Sequence, residues 1–177
     1  LCHQCLKAPR LPRKVVAKMP IKPKPPITSV AAAYDFALTK LSYRDHSQQD
    51  LEWKMRMRQC PQEVIDQVVV KLKDYKLLNE ENYGNKVYRS WLKKKYYGKG
   101  HLYLTLMKKQ VKKELISGIL DKLTEEEEAA RAFDFGSDCL KKNPKKFGLT
   151  NEKGAANLAR ALATRGFSGD LIKKTLK

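Results

Sequence analysis

The sequence has few of the residues that build catalytic or metal sites. It contains three histidines and four cysteines in 177 residues, and the histidines stand at no ligand or triad spacing. Cys2 and Cys5 form a single CxxC beside His3, which is half of a zinc site. Cys60 and Cys139 stand singly, and we expect Cys60, which aligns with Val111 and Phe167, to be a small core residue. The Gly-Lys-Gly at 98–100 lacks the flanking pattern of a phosphate-binding loop. We therefore predict that the protein is not an enzyme and that it binds no metal and no cofactor.

Two further absences concern structure. No run of apolar residues is long enough to cross a bilayer, and no stretch alternates apolar and polar residues as a half-buried strand does. Apolar residues instead recur at spacings of three and four, which is typical of amphipathic helices. We predict an all-α protein without a membrane partner. Four cysteines do not make a disulfide scaffold, and the apolar helical pattern favours a reduced, cytoplasmic setting.

Acidic residues are missing from two long stretches. Residues 1–28 hold seven lysines and arginines and six prolines, a composition typical of a disordered basic arm. The absence of an initial methionine fits a fragment, a processed product or the remnant of a targeting sequence. Residues 86–113 hold ten lysines and arginines. Much of the formal net charge of +18 is therefore concentrated in the arm and in the middle of the chain.

The sequence is rich in self-similarity. A shift of 51 residues aligns a first copy of the pattern with a second, and a shift of 56, which includes an insertion of about five residues, aligns the second with a third. Apolar positions, one acid and one base recur in each copy. Helical proteins can match themselves by chance, but the joint recurrence of these residue types favours true repeats. We predict three tandem three-helix repeats at 29–78, 79–123 and 124–177, with nine helices in an elongated, curved modular array. Two of the matched sets are Leu51, Leu102, Leu158 and Met55, Leu106, Leu162.

Residues typical of helix N-termini occur at several positions within these repeats. Ser47 followed by Asp50, and Thr124 followed by Glu127, are typical of an N-cap with an acid at the third helical position. The same reasoning predicts N-caps at Asn79 and Thr150.

The middle basic stretch also carries aromatic residues. Cations neutralise phosphates and rings stack on bases, so this mixture favours nucleic-acid contact without sequence readout. The alternative explanations of the basic residues are an ordinary solvated helix surface and a surface that binds an acidic protein. For Trp91, the alternative is that its indole packs inside its own repeat. The rings belong to Tyr88, Trp91, Tyr96, Tyr97, His101 and Tyr103.

Residues 31–177 resemble a known family. The stretches AYDFAL at 33–38 and LSYRDHSQQDL at 41–51, followed by VIDQV at 64–68 and LKDYKLLNE at 72–80, are similar to RecX, the regulator of the RecA recombinase. RGFS at 165–168 continues the pattern. The arm before residue 29 has no counterpart in this resemblance.

The resemblance implies a modular protein of three-helix repeats that binds RecA filaments and DNA, limits filament growth and has no enzymatic activity. We expect a monomer whose partners are the RecA filament and single- or double-stranded DNA. The alternative is a general nucleic-acid-binding repeat protein that acts without RecA. The candidate contact residues for RecA or DNA are Arg44, Arg58, Arg89, Lys93, Lys94, Lys95, Lys99, Lys108, Lys109, Lys112, Lys113, Arg160 and Arg165.

Overall fold

The structure is a computed structural model that describes residues 25–176. All regular secondary structure in these residues is helical, which confirms the predicted all-α class. The helices are α1 (Val30–Tyr43), α2 (Gln48–Arg56), α3 (Gln62–Asp74), α4 (Glu80–Leu92), α5 (Lys99–Lys108), α6 (Lys113–Leu120), α7 (Glu125–Lys142), α8 (Pro144–Phe147), α9 (Glu152–Thr164) and α10 (Gly169–Thr175).

The helices form three groups, each around its own hydrophobic cluster. Leu51 and Met55 lie in the cluster of α1–α3, Leu102 and Leu106 in that of α4–α6, and the third cluster belongs to α7–α10. The extensive helix-to-helix contacts all fall within a group. This confirms tandem three-helix repeats, called the first, second and third repeat below, because each group buries its own apolar face.

The same turn joins the second and third main helices of every repeat. Gln59, Gln110 and Gly166 all have positive φ, at 56°, 55° and 80°. Each donates its N–H to the carbonyl three residues earlier, and the following residue donates to the carbonyl five residues before it. This is the Schellman motif, which satisfies the carbonyls at a helix end. The three residues are related by the shifts of 51 and 56, so the repeat extends to backbone conformation.

The residue after each left-handed position enters a core. Cys60, Val111 and Phe167 are all buried, at 6%, 3% and 5% exposure. Schellman turns commonly carry such an apolar residue at this place. The expectation that Cys60 is a small core residue is therefore confirmed, and burial raises the pKa of its thiol.

Most predicted helix starts are confirmed. The Ser47 hydroxyl accepts from the Asp50 N–H at 3.1 Å, and Thr124 and Glu127 form a reciprocal capping box. Asn79 caps α4. The prediction for Thr150 is wrong by one residue, because the Asn151 side chain caps α9 by accepting from the Gly154 N–H.

Two other expectations differ from the structure. The described residues hold ten helices instead of nine, because Pro144 begins the extra four-residue helix α8 with the φ that suits a first helical position. Within the predicted arm, Ile27 is buried and donates its N–H to the Arg58 carbonyl at 3.0 Å, so residues 25–28 pack on the first repeat. Residues 1–24, including Cys2, His3 and Cys5, lie outside the described residues.

Candidate nucleic-acid interface

A groove of about 420 Å³ lies where the first repeat meets the second. It contains Arg44 from the end of α1, Lys94 from the end of α4 and Lys109 from the end of α5. These three candidate residues are far apart in sequence and all exposed. The structure therefore brings together three of the thirteen sequence-predicted cations, and this surface is called the basic groove below.

Lys86 is a fourth cation in the basic groove, and it was absent from the predicted contact residues. Its ammonium pairs with the Asp45 carboxylate at 2.9 Å, and both side chains are about half exposed. Lys86, Ser90 and Lys94 all line the groove. Lys86 and Ser90 lie four residues apart on one face of α4, and Lys94 continues this spacing just after the helix ends at Leu92, so the spacing of four was the signal that could have identified Lys86.

Arg44 is held by an ionic cluster at the start of α2. Its guanidinium lies 3.4 Å from the Asp50 carboxylate, which also meets His46 Nδ1 at 2.5 Å and the ammonium of Lys54. Burial raises the pKa of Asp50, but the hydrogen bonds from Lys54 and His46 outweigh it, and the net direction is downward. Asp50 is thus an anion at neutral pH and orients Arg44 at the groove edge.

The floor of the basic groove contains Tyr83 and Trp91, both buried. The Tyr83 hydroxyl donates to the Lys109 carbonyl at 3.3 Å. Burial raises the pKa of Tyr83, and the Asp50 charge adds to this, so the hydroxyl keeps its proton. This bond connects α4 to the end of α5, beside the Lys109 side chain.

Trp91 is a core residue and cannot stack on a base. Its side chain is only 1% exposed, and its Nε1–H donates to His101 Nδ1 at 2.9 Å. The Tyr97 ring lies 4.0 Å from the His101 ring, centroid to centroid. Of the two interpretations of Trp91, the structure supports repeat-specific packing, because the second repeat uses its indole to fill its own core. Tyr103 is the exposed ring of this stretch, at 43%.

Comparison with known proteins finds relatives with similar sequences. Residues 33–72 match the family described as RecX, first three-helix domain. The Regulatory protein RecX of Bacillus velezensis is 29% identical over 150 residues, and that of Chlorobium phaeobacteroides is 28% identical over 149. The chain is similar to RecX proteins. The matches cover 84% and 81% of this chain, and 55% and 91% of those relatives. The chain thus spans about half the length of the first of them.

Solved RecX structures share the fold. The crystal structure of RecX from Lactobacillus salivarius superposes with a TM-score of 0.74 at 22% identity, over 83% of this chain and 94% of that one. A second crystal structure of regulatory protein RecX gives 0.71 at 21% identity, over 82% and 72%. At this identity the likeness concerns the arrangement of helices.

Within this RecX fold, Arg58 and Arg165 pack against aromatic rings. Arg58 lies 5.4 Å from the Phe36 ring centroid and donates to the Pro25 carbonyl. Arg165 lies 4.6 Å from the Tyr97 centroid and 4.8 Å from that of Phe135. Cations on ring faces stabilise a fold, so these two candidates are engaged within the protein.

The other candidates lie outside the basic groove. Lys99 is half-buried and lines a second cavity beside α7 and α10. Lys112 is half-buried, and Arg160 on α9 donates to Asn157. The exposed ones around the second repeat are Arg89, Lys93, Lys95, Lys108 and Lys113.

Arg131, which sequence reasoning did not select, holds the end of α4 in place. Its guanidinium donates to the carbonyls of Lys94 and Leu92, at 2.9 and 3.3 Å, and lies 4.9 Å from the Trp91 ring centroid. A cation at a helix C-terminus satisfies free carbonyls and complements the helix dipole. The third repeat thereby positions Lys94 at the basic groove.

Residues 25–176 contain no group of three or more His, Cys, Asp or Glu side chains placed to hold a metal ion. Among the helices in that range, none is both long and apolar enough to cross a membrane.

Proposed function

We propose that this protein is a regulator of the RecA recombinase that binds RecA–DNA filaments and limits their growth, without catalysis of its own. The proposal is supported by similarity to curated relatives that are named Regulatory protein RecX, and by the match of residues 33–72 to the first three-helix domain of RecX. We further propose that it acts as a monomer in the cytoplasm.

The basic groove is the proposed contact with DNA. Arg44, Lys94 and Lys109 converge on a concave surface, and cations in such a groove release condensed counterions when they meet phosphates. The net charge of +18 steers the protein toward a polyanion. Arg and Lys side chains are the usual contacts to phosphate oxygens, and the sequence has no compact base-recognition motif, so the proposed contact is with the backbone.

The repeats suit a partner that is itself repetitive. Several weak contacts from tandem modules add through effective concentration when the partner presents its sites at matching intervals. A nucleoprotein filament presents both phosphates and protein subunits in this way. The exposed candidates outside the groove supply further contacts under this proposal.

The test is RecA-catalysed ATP hydrolysis on single-stranded DNA, titrated with this protein. Inhibition at amounts well below one protein per RecA subunit supports filament binding. Inhibition only when the protein outnumbers DNA sites indicates simple competition, which is the behaviour of a nucleic-acid-binding protein that acts without RecA.

Charge-neutralised variants test the groove in the same assay. Arg44→Gln, Lys94→Gln and Lys109→Gln together should weaken inhibition at least ten-fold. The matched control, Lys71→Gln with Lys73→Gln and Lys153→Gln, removes the same charge from exposed positions elsewhere. An equal loss in both variants would show that net charge, and not the groove, is responsible.

A further inference from the structure

The outward face of α5 is apolar. Tyr103, Leu104 and Met107 are 43%, 65% and 36% exposed. Spacings of three and four make Met107 a neighbour of both other residues on the helix surface. The solvent face of a helix in a soluble protein ordinarily carries polar and charged side chains, and contiguous exposed apolar residues mark interaction sites.

An equivalent anchor stands in the first repeat. Trp53 on α2 corresponds to Leu104 under the shift of 51 and is 51% exposed. Met57, one turn later, is 64% exposed. The Lys54 ammonium lies 5.5 Å from the Trp53 ring centroid. Two successive repeats therefore expose a large apolar side chain at the same position of their second helix.

The charges around the α5 face define the partner. Lys99 and Lys108 begin and end α5, and no acidic residue occurs between 86 and 113. A second copy of the chain would bring like charges together, which opposes self-association. A protein surface with apolar pockets rimmed by Asp and Glu is complementary in both respects.

The α5 face points away from the basic groove. Thr105 lines the groove, and successive residues of an α-helix are rotated by about 100°. Tyr103 and Met107, two positions on either side of Thr105, therefore lie about 160° from it around the helix axis. One helix thus separates the cationic surface from the apolar one.

We propose that Tyr103, Leu104 and Met107 dock on an acid-rimmed apolar surface of a protein partner, with Trp53 as the equivalent anchor in the first repeat. This rests on the proposed function, in which that partner is the protein subunit of the filament. Under this proposal the basic groove contacts phosphates, and the α5 face contacts the protein subunit.

The experiment compares wild type, Tyr103→Gln with Leu104→Gln, and a control with Val70→Gln and Phe133→Gln, which replaces apolar residues of 57% and 65% exposure elsewhere. Glutamine keeps helix propensity, and circular dichroism checks that each variant folds. Affinity is measured twice: for a fluorescent oligonucleotide alone by anisotropy, and for RecA filaments formed on DNA with a non-hydrolysable ATP analogue by co-sedimentation.

The α5 variant should bind filaments at least ten-fold more weakly and the free oligonucleotide within two-fold of wild type, while the control matches wild type in both. Unchanged filament binding, or an equal loss for the oligonucleotide, overturns the α5 assignment alone. Absence of filament binding by wild type overturns the proposed function as well. Wild type that is dimeric, with a monomeric α5 variant, overturns the assignment in favour of self-association.

Discussion

The backbone N–H of Gly100 donates a 2.9 Å hydrogen bond to the carbonyl of Gly166, across the boundary between the second and third repeats. Gly98 donates in the same way to Arg165 at 3.0 Å. The first N–H groups of a helix lack partners within it, so the turn of the third repeat completes the start of α5. At the other boundary, the first and second repeats are joined by the exposed pair Asp45–Lys86.

Gly166→Ala should destabilise the protein by about 1–3 kcal/mol or more, because φ is +80° and the new methyl would collide with the backbone at His101. Urea unfolding measures the change. Gly118→Ala is the control: nothing lies within 4 Å of the added methyl in α6, so it should stabilise by about 0.5–1 kcal/mol. Equal midpoints for Gly166→Ala and wild type would contradict this account of the boundary.

Glu128→Ala should lower the free energy of unfolding by about 1.5–3 kcal/mol. The Glu128 carboxylate is buried, at 7% exposure, and accepts from the Lys99 N–H at 2.7 Å, so its loss leaves that donor without its partner. Glu125→Ala removes an exposed acid from the same helix end and should change stability by less than about 1 kcal/mol. Equal losses of unfolding free energy in the two variants would show that Glu128 stabilises the protein only through the helix dipole, and not through its bond to the Lys99 N–H.

The stability of the wild type should fall as pH drops below 6.5. Burial lowers the pKa of His101 from 6.5, and the charges of Lys94 and Arg165 add to this, so the unfolded chain binds the proton more readily. The contribution is complete above pH 6.5 and is lost as pH falls toward the lowered value.

His101→Gln keeps an acceptor within reach of the Trp91 Nε1–H but does not titrate. We expect a shallower decline of the unfolding free energy between pH 7 and 5 than in the wild type, measured by urea unfolding at each pH. Parallel curves for the two proteins would exclude His101 as the titrating group.

Binding to single-stranded DNA should weaken with salt at a log–log slope of about −0.7 per neutralised phosphate. Substituting Arg44, Lys94 and Lys109 by Gln should make the slope shallower by about 2, if each of the three meets one phosphate. The control with Gln at 71, 73 and 153 should retain the wild-type slope. Affinity that does not respond to salt would refute phosphate binding in the groove.

Local signals predicted the scaffold well. Ser47, Asn79 and Thr124 cap helices where expected, because an N-cap depends on a few neighbouring residues. The period placed Cys60 in the core beside its equivalents. The miss at Thr150 arose where Asn151, a better N-cap, stands next to it, and nothing local distinguished the short helix α8 from a loop.

The surface was predicted less well, because it depends on contacts between distant residues. The thirteen candidate cations were predicted from the distribution of basic residues along the chain. Among them, only Arg44, Lys94 and Lys109 lie in the basic groove. For Trp91 the sequence left base stacking and core packing open, and contacts such as its hydrogen bond to His101 on α5 decide for packing. Exposure is a property of packing, and residue type alone does not specify it.

Periodicity and neighbouring residues were enough to predict the three repeats and four helix starts to within one residue. Contacts between residues distant in sequence set which cations converge, which rings are buried and that α5 carries Thr105 toward the groove and Leu104 toward solvent. The reason is physical: repeats share a core because each must bury the same apolar stripe, while their surfaces are set by the neighbours that each repeat meets.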